Sequence, residues 1–203
     1  MQSFNWSDIT SILNNPAILS YFSKGCGISV GSFDGLHKGH RVLLNTLVSG
    51  SKDLGLRSGV VTFTKPLPSI KNQNDYKGDI STLEQRLELL ESVGVEFAII
   101  VDFNDNFAAM TGNQFFDILV QNCNMKYLCE GVDFRCGYKG SFDRYAIANY
   151  CADNQIQLSF TNPVYYEIHG HQERISSSII RQLISDNELD LVSALLDRKY
   201  VKN

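Results

Sequence analysis

The sequence has no basic run and no basic excess: 18 Lys and Arg stand against 22 Asp and Glu, a net charge of −4. That balance excludes nucleic acid and anionic membrane as main partners, since both are held by clustered cations. No apolar run approaches the length needed to cross a bilayer, and residues 1–9 lack the basic start and apolar centre of a secretory signal. A cytoplasmic protein is expected. The five cysteines, Cys26, Cys123, Cys129, Cys136 and Cys151, are odd in number and contain no C-x-x-C pair. Reduced thiols follow, and nothing in the spacing supports a zinc site built with His37 and His40. There is no internal repeat, low-complexity tract or linker, so residues 1–203 read as one domain. Oligomeric state is left open.

What is present is the composition of a globular domain, 43% hydrophobic and 20% charged. Its apolar periodicity alternates between strand and helix. Ser7 or Asp8 is expected to cap a first helix that runs toward Tyr21 and breaks near Pro16. Residues 27–30 and 58–63 read as strands, and the prolines at 66 and 68 are expected to stop regular structure ahead of a polar loop over 69–79. Ser81 to Glu84 and Thr111 to Gln114 read as capping boxes, each opening a helix. The run 97–101 is a strand buried on both faces. Further strands are expected at 125–129, 157–160 and 164–168, a helix at 144–153, and a closing helical segment after Ser176, Ser177 and Ser178. Strands alternating with helices imply βαβ crossovers, so the expected fold is α/β, a Rossmann-like doubly wound parallel sheet.

The stretch Gly31-Ser32-Phe33-Asp34-Gly35-Leu36-His37-Lys38-Gly39-His40 follows the first of those strands and opens a helix. A strand-to-helix turn is a ready anion site, because the first N–H groups of a helix are unpaired and the dipole is positive there. His37 and His40 are three residues apart and project from one face of the first turn. Gly39 between them leaves room for close approach of a ligand. Two imidazoles at a helix mouth suit charge building up on phosphorus, which suggests phosphoryl or nucleotidyl transfer. A second mouth, Arg174-Ile175-Ser176-Ser177-Ser178-Ile179-Ile180-Arg181, offers hydroxyls, free N–H groups and a guanidinium one turn on, suited to clamp a polyphosphate from the opposite side.

Together with Gly131-Val132-Asp133-Phe134-Arg135-Cys136-Gly137, these motifs occur in the order and spacing of prokaryotic FAD synthetases. The chain resembles their FMN adenylyltransferase domain, in the H-x-G-H nucleotidyltransferase superfamily. The resemblance implies transfer of AMP from ATP to FMN, giving FAD and pyrophosphate, with Mg2+. It implies that His37 and His40 stabilise the α-phosphoryl transition state, and that Ser176, Ser177 and Arg181 hold the β- and γ-phosphates. Gly31, Ser32, Phe33, Asp34, Gly39 and Ser178 would line the nucleotide, and Thr62, Phe63, Pro66, Asp133 and Phe134 the flavin. Partners would be these small molecules, and the residues of any metal site are unknown.

The chain departs from the family pattern at several points. Where T-F-x-P-H-P is usual, residues 62–68 carry one residue more, with Lys65 inserted and Leu67 in place of histidine. Gly140 and Phe142 replace a basic residue and a glycine, leaving Lys139 as the nearest cation, and Ser178 stands for threonine. The family often continues into a riboflavin kinase barrel, and the sequence stops about where that would begin. Two other readings stay open at this point: a sister nucleotidyltransferase acting on another phosphate, such as nicotinamide mononucleotide or a phosphopantetheine, and a catalytically weak flavin- or nucleotide-binding module.

Overall fold

A computed structural model describes residues 1–71 and 76–201. Six parallel strands form the central sheet: β1 (Gln2–Asn5), β2 (Cys26–Val30), β3 (Arg57–Phe63), β4 (Phe97–Val101), β5 (Met125–Gly131) and β6 (Gln157–Thr161), in the order β1-β4-β3-β2-β5-β6. Sequence alternation sends Val61, Phe63, Ile99 and Leu128 to one face and Val60, Ala98, Tyr127 and Cys129 to the other. The first face is covered by α1 (Trp6–Thr10), α2 (Pro16–Tyr21), α7 (Gly112–Cys123) and α8 (Arg144–Asp153). The second is covered by α3 (Lys38–Asp53), through Leu44 and Leu47, and by α5 (Leu83–Ser92), through Leu90. This is the doubly wound arrangement expected from the alternation. A hairpin of β7 (Tyr165–Ile168) and β8 (His171–Arg174) joins α9 (Ser177–Ser185) and α10 (Leu189–Leu196) in a third apolar cluster that also takes in Ile80.

The order reverses between β2 and β5, and that is where the site lies, since neighbouring strands connect to opposite sides there and leave a crevice at their carboxyl ends. The β2–β5 ladder is registered through Ile28 and Leu128. Past it, the side chain of Glu130 accepts the N–H of Val30 at 2.6 Å.

Several expectations are corrected. Residues 2–5 form the edge strand β1 beside β4, and the first helix is short and capped at Asn5, whose N–H donates to Asp8 at 2.8 Å, so Asp8 works from inside the first turn. Pro68 lies in the first turn of a short helix, α4 (Leu67–Lys71), where no N–H is needed, instead of ending regular structure. Residues 72–75 of the expected loop lie outside the described residues. The capping box near residue 82 is shifted by one, pairing Thr82 with Gln85, because Ser81 is taken by Asp34. A short helix, α6 (Asp105–Ala108), and strand β8 are additions to the pattern read from sequence. The box at Thr111–Gln114 and the helix Arg144–Asp153 stand as expected. All five cysteines are free thiols.

Candidate active site

His37 caps α3, and its Nδ1 accepts the N–H of His40 at 3.2 Å. For a neutral ring this puts the proton on Nε2, leaving that edge as a donor. The rings of His37 and His40 stack at 3.6 Å between centroids, 15° from parallel, and Phe33 packs edge-on against His40 at 5.4 Å. Burial pushes the His37 pKa well below its usual value, with His40, Arg174 and Arg181 adding to the shift through their charges. Burial also lowers His40 to about 3. Both rings are therefore neutral at physiological pH, and among the described residues the buried Nδ1 of His40 has no hydrogen-bond partner. The turn that delivers them is strained: Phe33, Gly35 and Leu36 all have positive φ, 49°, 78° and 43°, which only the glycine adopts freely. A side chain at Gly39 would press on the His37 ring, its Cβ 3.2 Å from that ring.

The turn is pinned from below by Asp34, which is fully buried. Its carboxylate accepts the Ser81 N–H at 2.9 Å, the Ser81 hydroxyl at 3.0 Å and the Ile80 N–H at 3.1 Å, and pairs with Arg181 Nη2 at 2.5 Å. Ser177 donates its hydroxyl to the Asp34 carbonyl at 3.0 Å. The two helix mouths are therefore neighbours: α9 is bonded to the turn that opens α3, and a Cβ at Gly39 would lie 3.9 Å from the Ile175 carbonyl. Ser176 caps α9, accepting from Ile179 at 3.3 Å, and Ser178 is exposed. Arg181 also gives Nε to the Gly78 carbonyl at 2.9 Å and lies over the Tyr76 ring at 4.8 Å.

Beside the mouths, at the carboxyl ends of β2 and β3, opens an apolar cavity of about 810 Å³. Val30, Gly31, Phe63, Leu67, Phe107 and Phe134 are among its walls. The rings of Phe103 and Phe107 stand edge-on to Phe63 at 6.0 and 6.2 Å. Of the residues expected on the flavin side, Phe63 and Phe134 line this cavity. Thr62 is buried in the sheet, its hydroxyl 3.4 Å from the Ser32 carbonyl, and Pro66 is buried with its carbonyl accepting from Ser69. Asp133 is exposed and paired with Arg174 at 2.6 Å. Leu67, flagged as a departure, is part of the wall.

Sequence reading missed Phe103, Phe107, Met110 and Phe115, which reach the cavity from α6, α7 and their flanking loops. It also missed two buried ionisable groups. Arg86 sits on the apolar stripe of α5 between Leu83 and Leu90, and Glu130 shares a strand face with the core residue Leu128. A charge on a buried face was the available signal in both cases. Burial raises the Glu130 pKa well above the usual carboxylate range, partly offset by the Val30 hydrogen bond.

A family model for FAD synthetase matches residues 20–179. The bifunctional riboflavin kinase/FMN adenylyltransferase of Escherichia coli K12 is 30% identical over 178 residues, covering 87% of this chain and 56% of that protein. The protein of the same description from Bacillus subtilis is 27% identical, covering 85% of this chain and 54% of that protein. The chain thus spans little more than half the length of these relatives. A crystal structure of a protein described as a macrolide-efflux protein from Streptococcus pneumoniae superposes with a TM-score of 0.75 at 27% identity, covering 87% of this chain and 65% of that one. Among the described residues of the present chain, no helix is long and apolar enough to cross a membrane.

Proposed function

The chain belongs to the FAD synthetase family, and from that premise we propose that it transfers AMP from ATP to FMN, releasing pyrophosphate and forming FAD. The observation that carries the reading is the junction of two helix N-termini with a ring-lined apolar cavity at the switch point of the sheet. A triphosphate suits the polar mouths, and a flat tricyclic ring suits walls made of Phe63, Phe103, Phe107 and Phe134.

In this reading the FMN phosphate, mostly dianionic at neutral pH, attacks the α-phosphorus without a general base. A bond forms from the phosphate oxygen to the α-phosphorus, and the bond to pyrophosphate breaks. His37 and His40, neutral and stacked, donate to the oxygens on which charge builds. Ser176 and Ser178 with the N-terminal amides of α9 hold the departing pyrophosphate; the Ser177 hydroxyl is committed to the Asp34 carbonyl, so Ser177 contributes through its backbone N–H. Arg181 has Nη2 and Nε committed to Asp34 and Gly78, so Nη1 is the edge it offers to a phosphate. The turn from Gly31 through Asp34 and Gly39 shapes the nucleotide side. Thr62 and Pro66 act from behind the flavin wall, and Asp133 acts at its rim.

Magnesium carried by ATP would supply positive charge against that building up on the phosphate oxygens. Among the described residues no three His, Cys, Asp or Glu side chains converge on one point. The ion belongs with ATP, as part of the substrate. Riboflavin kinase activity, which the relatives' names include, forms no part of the proposal.

The test is incubation with ATP, magnesium and FMN while FAD and pyrophosphate are followed. Equimolar production of the two is the expected result. Turnover with a different phosphate acceptor but none with FMN would assign the chain to a sister nucleotidyltransferase. Binding of flavin or nucleotide without turnover would leave only a binding module.

A further inference from the structure

Arg86 is fully buried and, among the described residues, has no carboxylate in ion-pair contact. Its Nη1 donates to the carbonyls of Ser32 and Phe63, both at 2.9 Å, and its Nη2 to the Thr64 carbonyl at 3.0 Å. Its Nε is buried and, among the described residues, has no hydrogen-bond partner. Burying a guanidinium against carbonyls alone is costly, and a neutral donor would tie the same carbonyls at lower cost.

The three carbonyls explain the placement, because they come from two turns. Ser32 belongs to the turn that opens α3 on the nucleotide side. Phe63 and Thr64 end β3, and the Phe63 ring is a wall of the apolar cavity. Two further bonds cross the same gap: the Leu67 N–H to the Ser32 hydroxyl at 3.1 Å, and the Thr62 hydroxyl to the Ser32 carbonyl at 3.4 Å. Arg86 thus stands where the two halves of the crevice meet.

We propose that Arg86 is a positioning residue that locks the nucleotide turn to the flavin wall and so fixes the relative placement of the two substrates held by those turns. The role rests on the adenylyl-transfer reading. Arg86 touches neither substrate, so its loss leaves ground-state binding largely intact and spoils the in-line geometry between two substrates held by different turns.

The experiment compares the wild-type chain with Arg86→Met and Arg86→Lys. It measures FAD formation over ranges of ATP and FMN, and amide hydrogen exchange at residues 31–36 and 63–67 without substrate. For Arg86→Met the expected result is a kcat about 100-fold lower, with both KM values within about threefold. For Arg86→Lys, which keeps the charge but not the fork, about a tenfold loss is expected. Exchange should quicken in both segments together. A folded Arg86→Met with wild-type kcat, or exchange that quickens in only one segment, overturns the role. If Arg86→Met does not fold, Arg86→Lys carries the test by the same two readouts, and unchanged kcat and exchange there overturn it. Should the wild-type chain make no FAD, the adenylyl-transfer reading fails on its own, while the exchange measurement still decides whether Arg86 joins the two turns.

Discussion

The nucleotide side and the flavin side of the crevice are built on opposite principles. On the nucleotide side ten consecutive residues supply the turn and the imidazoles, and directional bonds fix the turn: Asp34 alone holds Ile80, Ser81 and Arg181. On the flavin side the walls come from β2, β3, α4, α6, α7 and the loop after β5, and rings packed edge-on hold them by shape. A bond-fixed site tolerates little change, because an unpaired buried polar group costs more than the bond was worth. A shape-fixed site accepts side chains of similar volume. The departures from the family pattern at Leu67 and Gly140 fall in the second kind of wall, where they alter the fit without unpairing anything.

The largest expected effect is at Asp34. Asp34→Asn strands Arg181 as a buried charge without its counter-ion and should cost about 3–5 kcal/mol of stability, read from the urea midpoint. A loss below about 1 kcal/mol would mean that the polar knot is not what fixes this half. Next is His40→Ala, for which kcat of FAD formation should fall about 100- to 1,000-fold with ATP affinity nearly unchanged. Parallel losses in kcat and affinity would show His40 to be a binding group and not a stabiliser of developing charge.

The flavin side should respond more gently and more selectively. Phe107→Ala removes one ring from the wall and should weaken FMN binding about tenfold, read by quenching of flavin fluorescence, with ATP binding unchanged. If ATP binding weakens equally, the two halves do not divide the substrates as described.

The smallest effect concerns Glu130, between the halves. Its folded pKa is raised above the ordinary carboxylate value of 4.5, so the folded chain holds a proton that the unfolded chain gives up. Folding is therefore penalised progressively as pH rises above that value. Glu130→Gln keeps the acceptor for Val30 and removes the titration. It should be more stable than wild type at pH 7 to 8, by on the order of 1 kcal/mol, and the difference should close as the pH falls toward 4.5. Parallel stability curves across that range would contradict a raised Glu130 pKa.

The sequence by itself determined the alternation of strands and helices and the two helix mouths, because period, capping residues and the spacing of His37 and His40 act over a few neighbouring residues. It missed β1, since a four-residue edge strand gains its pairing from β4, more than ninety positions away. It misplaced the capping box by one residue for a similar reason: Ser81 looks like a cap until Asp34, 47 residues earlier, claims its hydroxyl. Beyond Phe63 and Phe134, which the family motifs named, tertiary structure decided which phenylalanines form a cavity and which form core, because both are apolar and differ only in what faces them. It also decided that Arg181 is tied to Asp34, and that Arg86 ends under the carbonyls of two turns. Those pairings join residues from 22 to 147 positions apart, and no local pattern carries a charge's distant partner.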